Sequence, residues 1–280
     1  MSSRAEPVTE ALLEEWGLPD PGDSKKSRGD VVVVGGSRSS PGAVLLAGES
    51  ALRVGAGRVV LAVPQSIDAQ VGVGLPEAGV LALPDDADAP PAGELREKLT
   101  AADAVLIGPG FSDADETRAT LRAVAATSPR AMVLDAFALG VLPGIDRGSL
   151  PADLILNPNK DEARILLGRE LADEVADIRE IARRFEAVVN CYGVVAHPDG
   201  RAYTLDEGDS GLATSGSGDV LAGAIAGFAA RGVDPVRAAV WGSWAHARAG
   251  VRLGERIGLG FLARDLAREL TPAVHGLRRR

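Results

Sequence analysis

The chain has 280 residues, 46% of them hydrophobic, enough to bury a sizeable core in one large α/β domain or two small ones. Acidic residues outnumber basic ones 39 to 30, and no basic block lies beside interleaved aromatics, which argues against nucleic-acid binding. Cys191 is the single cysteine, so an intrachain disulfide and a cysteine-based zinc framework are excluded; with no signal-peptide core and no apolar run near the roughly 20 residues that span a bilayer, a cytoplasmic protein without membrane contact is expected.

In chain order, residues 1–29 read as an N-terminal arm with a short helix over Glu10 to Trp16 and a polar stretch from Asp20 to Gly29. Val31 to Val34 is a continuous apolar run ending in Gly35-Gly36-Ser37, as expected of a central parallel strand that leaves the sheet at a ligand-facing edge. A small-residue helix over Pro41 to Val54 follows, with proline suited to its first turn. Val59 to Val63, Val80 to Leu83, Ala104 to Ile107, Met132 to Leu134 and Leu154 to Leu156 read as strands, with helices over Glu116 to Ala126 and Asp161 to Leu167. Val194 to Ala196 and Ala202 to Leu205, separated by Asp199-Gly200, read as a hairpin.

This alternation predicts an α/β fold, a mostly parallel sheet with helices on both faces and ligands beyond the carboxyl ends of its strands. The domain is expected to run over residues 30–272, with 273–280 as a basic tail ending in Arg278-Arg279-Arg280. The loops Gly35-Gly36-Ser37, Gly108-Pro109-Gly110, Asp135-Ala136-Phe137 and Asn157-Pro158-Asn159 each follow a strand and are candidate site loops. His197, His246 and His275 make no metal-ligand spacing and read as surface or helix-packing residues. Trp241 and Trp244, in a helix over Pro235 to Leu253, read as packing residues of the fold or of a subunit interface, and Cys191 as a buried structural thiol.

The run Thr214-Ser215-Gly216-Ser217-Gly218-Asp219 carries the chemistry. Val220, Leu221, Ala224, Ile225 and Phe228 recur at helical spacing, predicting a helix over Ala222 to Arg231 that Gly232 ends. The amides of Gly216, Ser217, Gly218 and Asp219 would lie at its positive end, where they can receive phosphate oxygens. A carboxylate among such amides repels phosphate, so a functional Asp219 should face the group being phosphorylated and take its proton. The same residues also admit a plainer reading in which Asp219 only caps a helix.

Gly35-Gly36-Ser37 with Pro41-Gly42-Ala43, the stretch Ala51 to Gly57, Gly108-Pro109-Gly110 and the run Gly216 to Gly223 occur in order. Together they resemble the ADP- or ATP-dependent NAD(P)H-hydrate dehydratases of the ribokinase-like superfamily. The resemblance covers roughly residues 30–270 and implies a ribokinase-like three-layer α/β/α sandwich. It also implies an activity: ADP or ATP phosphorylates the hydroxyl of a hydrated nicotinamide ring, and loss of phosphate restores NADH or NADPH. By position, Asp219 would be the base, while the Gly216, Ser217 and Gly218 amides would stabilise the phosphoryl charge. Gly218 would also touch nucleotide, and Ala43, Gly110, Asn159 and Asp219 would line the hydrate pocket. Magnesium is the implied cation, with Glu77 and Glu162 at acidic positions of the family, and a homo-oligomer is the implied assembly.

Three positions depart from the family pattern. Asn157-Pro158-Asn159 carries a neutral amide where the family has a proline-histidine pair, and Asp135-Ala136-Phe137 carries an aromatic where it has a second aspartate. The stretch Val188 to Gly193 lacks the lysine that binds nucleotide phosphates in the family. Lys160 is the lysine placed to compensate, and it also reads as a solvated residue at a helix start. Two alternatives therefore stand beside the dehydratase: a divergent ribokinase-like kinase of another small hydroxyl compound, and a non-catalytic nucleotide-binding homologue.

Overall fold

The computed structural model describes residues 4–20 and 22–277. In chain order they form β1 (Glu6–Pro7), α1 (Glu10–Trp16), β2 (Asp30–Val34), α2 (Gly42–Arg53), β3 (Arg58–Val63), α3 (Asp68–Gly74), β4 (Gly79–Ala82), α4 (Gly93–Ala101), β5 (Ala104–Ile107), α5 (Ala114–Ala125) and β6 (Ala131–Leu134). There follow α6 (Phe137–Val141), β7 (Asp153–Leu156), α7 (Lys160–Leu167), α8 (Glu174–Phe185), β8 (Val188–Cys191), β9 (Val194–Ala196), β10 (Ala202–Thr204), α9 (Ser217–Ala230), α10 (Pro235–Ile257) and α11 (Ala263–Leu277).

The sheet order is β1-β10-β9-β8-β7-β6-β5-β2-β3-β4. Pairing is parallel from β8 through β4 and antiparallel only at β8/β9 and β9/β10. The strand period of two divides the core between the faces. Val31 and Val33 of β2, Ala104 and Leu106 of β5 and Val133 of β6 pack with α2, α9, α10 and α11. Val32, Val34, Val105, Ile107 and Leu134 pack with α4, α5, α7 and α8 on the other face. The result is the expected three-layer sandwich. Its strand order reverses between β2 and β5, where Gly36 N–H donates to Pro109 O at 2.8 Å and binds the two candidate loops together.

The small-residue character of α2 is used inside the chain: a Cβ on Gly223 would lie 2.1 Å from Ala47 O, so α9 can lie against α2 only because that position is glycine. Trp241 likewise packs within the fold, 6.0 Å from Phe228 and 5.8 Å from Trp244 between ring centroids.

The ends of the chain differ from expectation. Residues 4–20 do more than lead in: Glu6 and Pro7 add a parallel edge strand to β10, and Leu13 is fully buried in the α9–α11 side of the core. The basic tail begins later than residue 273, because α11 continues to Leu277 with Ala273 and Leu277 buried, which the apolar spacing of that helix requires. Arg278-Arg279-Arg280 lie outside the described residues. Strand β8 and helices α4, α8 and α11 complete the layers without having been named from the sequence.

Candidate active site

Helix α9 begins five residues before the predicted Ala222. Gly216 is its N-cap in the left-handed region (φ 87°), so Ser217, Gly218 and Asp219 form the first turn. A residue with a side chain would be strained there, and its Cβ would also lie 2.5 Å from Leu46 Cδ1. Ser217 N–H is already used, donating to Thr214 O at 3.2 Å. The amides left without a backbone partner among the described residues are those of Gly216, Gly218 and Asp219, three donors at the positive end of a 14-residue helix. A Cβ on Gly218 would meet nothing within 4 Å, so no contact within the protein requires glycine there. The bare backbone suits a ligand that approaches closely.

The turn walls a cavity of about 710 Å³. Asp219 lies in it, its pKa pushed up to about 6 by burial. Asp135 and Glu162 share the cavity. Burial, then Glu162 and Asp219, hold Asp135 well above the usual carboxylate range, and burial also raises Glu162. None of the three carboxylates has a lysine or arginine partner among the described residues. Asn159 forms a reciprocal capping box with Glu162: its Oδ1 accepts from Glu162 N–H at 2.9 Å, and Glu162 Oε2 accepts from Asn159 N–H at 2.8 Å. A base of raised pKa beside helix-terminal amides is an arrangement suited to moving a phosphoryl group onto a hydroxyl.

The sequence profile of the NAD(P)H-hydrate dehydratases matches residues 31–272. The chain belongs to this family. It is 41% identical to the ADP-dependent (S)-NAD(P)H-hydrate dehydratase of Xanthomonas campestris pv. campestris, over 98% of this chain and 96% of that one. It spans about half the length of the bifunctional NAD(P)H-hydrate repair enzymes that it also resembles. Among solved structures, a ribokinase-like superfamily protein of Enterococcus faecalis V583 superposes with a TM-score of 0.83 at 23% identity, covering 98% of this chain and 96% of that one. The Bacillus subtilis ADP/ATP-dependent NAD(P)H-hydrate dehydratase co-crystallised with ATP and Mg2+ gives 0.81 at 23% identity, over 99% of this chain and 100% of that one. These two likenesses establish a ribokinase-like fold.

In this NAD(P)H-hydrate dehydratase family member, the cavity brings Asn159 together with Gly216, Ser217, Gly218 and Asp219. Ala43 and Gly110 stand beside it, outside its lining: they close on each other near the ends of β2 and β5, where a Cβ on Gly110 would lie 3.0 Å from Ala43 Cβ. One turn along α2 from Ala43, Leu46 packs on Gly216 and joins the two clusters. Phe137 does not line the cavity and is 40% exposed, and Glu77 is exposed and does not line it. Lys160 is committed elsewhere, with Nζ 2.6 Å from Glu174 Oε1 and 5.0 Å from the centre of the Tyr192 ring. Burial pushes the Cys191 thiol up to about 12, as befits a structural cysteine.

Of the two readings of His246, helix packing holds and surface exposure does not. It is buried, lines the cavity, and its Nε2 lies 2.9 Å from Ser217 Oγ and 3.1 Å from Ser217 O, tying α10 to the first turn of α9. Burial lowers its pKa to about 4, so the imidazole is neutral near pH 7. Ser243, one turn earlier on α10, and Asn190 on β8 also line the cavity and are absent from the sequence-based set. Their signal was available: Ser243 and His246 are polar residues three apart on the otherwise apolar face of a helix, and Asn190 interrupts the apolar strand Val188-Val189-Asn190-Cys191.

Proposed function

We propose that this protein repairs hydrated nicotinamide cofactors, using ADP or ATP to phosphorylate the ring hydroxyl of NADH or NADPH hydrate and so drive its dehydration. The observation that carries the reading is Asp219 with its pKa near 6 in the first turn of α9, beside amides free to receive a phosphoryl group. Asp219 takes the hydroxyl proton as the oxygen–phosphorus bond forms and the nucleotide's phosphate bond breaks. The amides of Gly216, Gly218 and Asp219 receive charge from the transferring phosphoryl group, and departure of phosphate from the ring then restores the reduced cofactor. His246 keeps Ser217, and with it the turn, in place. Asn159, Ala43 and Gly110 are proposed as contacts of the hydrate.

Magnesium fits this donor set. Its carboxylates Asp135, Glu162 and Asp219 line the cavity, and this ion is usually held by one or two carboxylates with water and nucleotide phosphates. Glu162 is the carboxylate that would hold it, relieving the repulsion among Asp135, Glu162 and Asp219. When bound, the ion would neutralise phosphate charge.

Cytoplasmic residence and assembly into homo-oligomers belong to the same reading; among the described residues no helix is long and apolar enough to cross a membrane. The direct assay supplies NADH hydrate, magnesium and ADP or ATP and follows recovery of the near-ultraviolet absorbance of reduced nicotinamide. Recovery that requires both nucleotide and Asp219 is the expected outcome. A stable phosphorylated product without recovery would instead identify a kinase, and nucleotide binding without turnover a binding protein. Light scattering on the same sample tests the assembly.

A further inference from the structure

Under the cavity four buried side chains from four segments form one hydrogen-bonded chain. Ser243 Oγ on α10 donates to Asn190 Oδ1 on β8 at 2.7 Å, Asn190 Nδ2 donates to Asn157 Oδ1 after β7 at 2.7 Å, and Asn157 Nδ2 donates to Asp135 Oδ1 after β6 at 2.9 Å. The four are 2–8% exposed, and all line the cavity. Each amide is used once as acceptor and once as donor, so neither can flip without breaking two bonds. Every donor points the same way, towards Asp135.

Packing alone does not call for such a chain, because buried polar groups of this kind cost stability unless every member is satisfied. It ends on a carboxyl of which only Oδ1 receives a side-chain bond, at a cavity wall that also contains Ala136, a non-glycine residue held in the left-handed region (φ 49°). Backbone strain of that kind persists where the surrounding structure fixes a functional geometry. Asp219 is already matched to the ring hydroxyl, and Glu162 to the phosphate end. A hydrated nicotinamide has one further strongly polar group on its ring, the carboxamide, whose N–H donors require a fixed acceptor.

We propose that Asp135 binds the carboxamide of the hydrated nicotinamide ring, and that Ser243, Asn190 and Asn157 are positioning residues that fix its carboxyl for that contact. The proposal rests on the hydrate-repair reading and assigns the group by which that substrate is distinguished from rings without an amide.

The test pairs Ser243→Ala with two substrates, NADH hydrate and the hydrate of the analogue in which an acetyl group replaces the carboxamide. In the wild type the acetyl analogue should have a KM about tenfold higher, the loss of one hydrogen bond to a charged or polarised group. Ser243→Ala should raise the KM for NADH hydrate about tenfold, leave the KM for ADP unchanged, and reduce the preference for carboxamide over acetyl to about twofold. Ser243→Thr, which keeps the hydroxyl, should restore the preference. Asn190→Leu, nearly equal in size and unable to donate to Asn157 at any pH, should behave as Ser243→Ala and serves if the alanine variant does not fold. Wild-type turnover with an undiminished carboxamide preference in both Ser243→Ala and Asn190→Leu overturns the positioning chain alone. A parallel rise in both KM values with loss of thermal stability shows a merely structural network and also overturns it. A wild-type protein that neither binds nor turns over either hydrate overturns the functional reading and this assignment together.

Discussion

At the α9 turn the cavity is walled by backbone: Gly216, Ser217 and Gly218 bring amides and almost no side chain. Along β6, β7, β8 and α10 it is walled by side chains, Asp135, Asn157, Asn190 and Ser243, each held by the next. The two constructions fail differently. A backbone wall recognises charge and size, so it is sensitive to one added carbon. A wall of interlocked amides responds to the loss of a single donor, because each bond orients its neighbour.

The largest effect is expected at the residue that belongs to the backbone wall by position and to chemistry by its side chain. Asp219→Asn keeps the shape of the turn and removes the base, so kcat should fall about 10²- to 10⁴-fold while nucleotide affinity changes little or rises. The wild-type profile should report the same group. Asp219 must be ionised to accept a proton, so kcat/KM should decline about tenfold per pH unit below its raised pKa of about 6. A profile flat from pH 7 down to 4.5, measured where the protein remains folded, would remove Asp219 from the proton-transfer role.

Gly218→Ala separates folding from binding within the same wall. The position is helical and its Cβ would enter open space, so alanine should raise stability by about 0.5–1 kcal/mol through helix propensity. The methyl group would stand where nucleotide phosphate approaches, and affinity for ADP should drop about tenfold or more. Calorimetric melting and ADP titration on one preparation read both changes. A variant more stable and equally able to bind would show that phosphate does not reach this turn.

The contrast between the walls also explains what could be read from the amino acids. The α9 turn lies within six consecutive residues, and the strands that carry it are uninterrupted apolar runs, so Val31 to Val34, Ala104 to Ile107 and Gly216 to Asp219 were all legible. Helix α9 starts before the predicted Ala222 because the cap and tertiary packing override the poor helix propensity of glycine and serine. The other wall is assembled from residues up to 108 positions apart, Asp135 to Ser243, and no local pattern announces that pairing. The polar contact of His246 is hidden for the same reason, since its partner Ser217 lies 29 residues away. The resemblance implies that Ala43 and Gly110 share the hydrate pocket; in the structure they pack on each other outside the lining of the cavity.

Asp219→Asn should also stabilise the protein, by a smaller amount than it costs catalysis. With a folded pKa near 6 against an ordinary value of 3.8, the folded state binds the proton more tightly. Stability from this group is therefore fully present below pH 3.8 and lost as pH rises to about 6, so the ionised carboxylate destabilises the fold at neutral pH. After allowance for solvent screening, the neutral amide should gain about 2 kcal/mol at pH 8 and almost nothing at pH 4. Denaturant melts of both proteins at the two pH values measure the difference, and a gain independent of pH would mean that desolvation of the charge is not its cause.

The smallest effect is expected at Lys160. The hairpin after β8 lacks a lysine, and Lys160 is near its tip, over Tyr192, yet its ammonium is bound to Glu174 and both partners are about half exposed. To reach a nucleotide phosphate it would have to leave that pair and the aromatic face, interactions worth about 1 kcal/mol or less each at an exposed site, for a contact that solvent also screens. The amides of the α9 turn do not move and are not screened in the same way. Lys160→Ala should therefore change the Kd for ADP less than about twofold, within what an exposed charge contributes. A tenfold loss would place the missing hairpin charge on α7 after all, and the phosphate site would then span both walls.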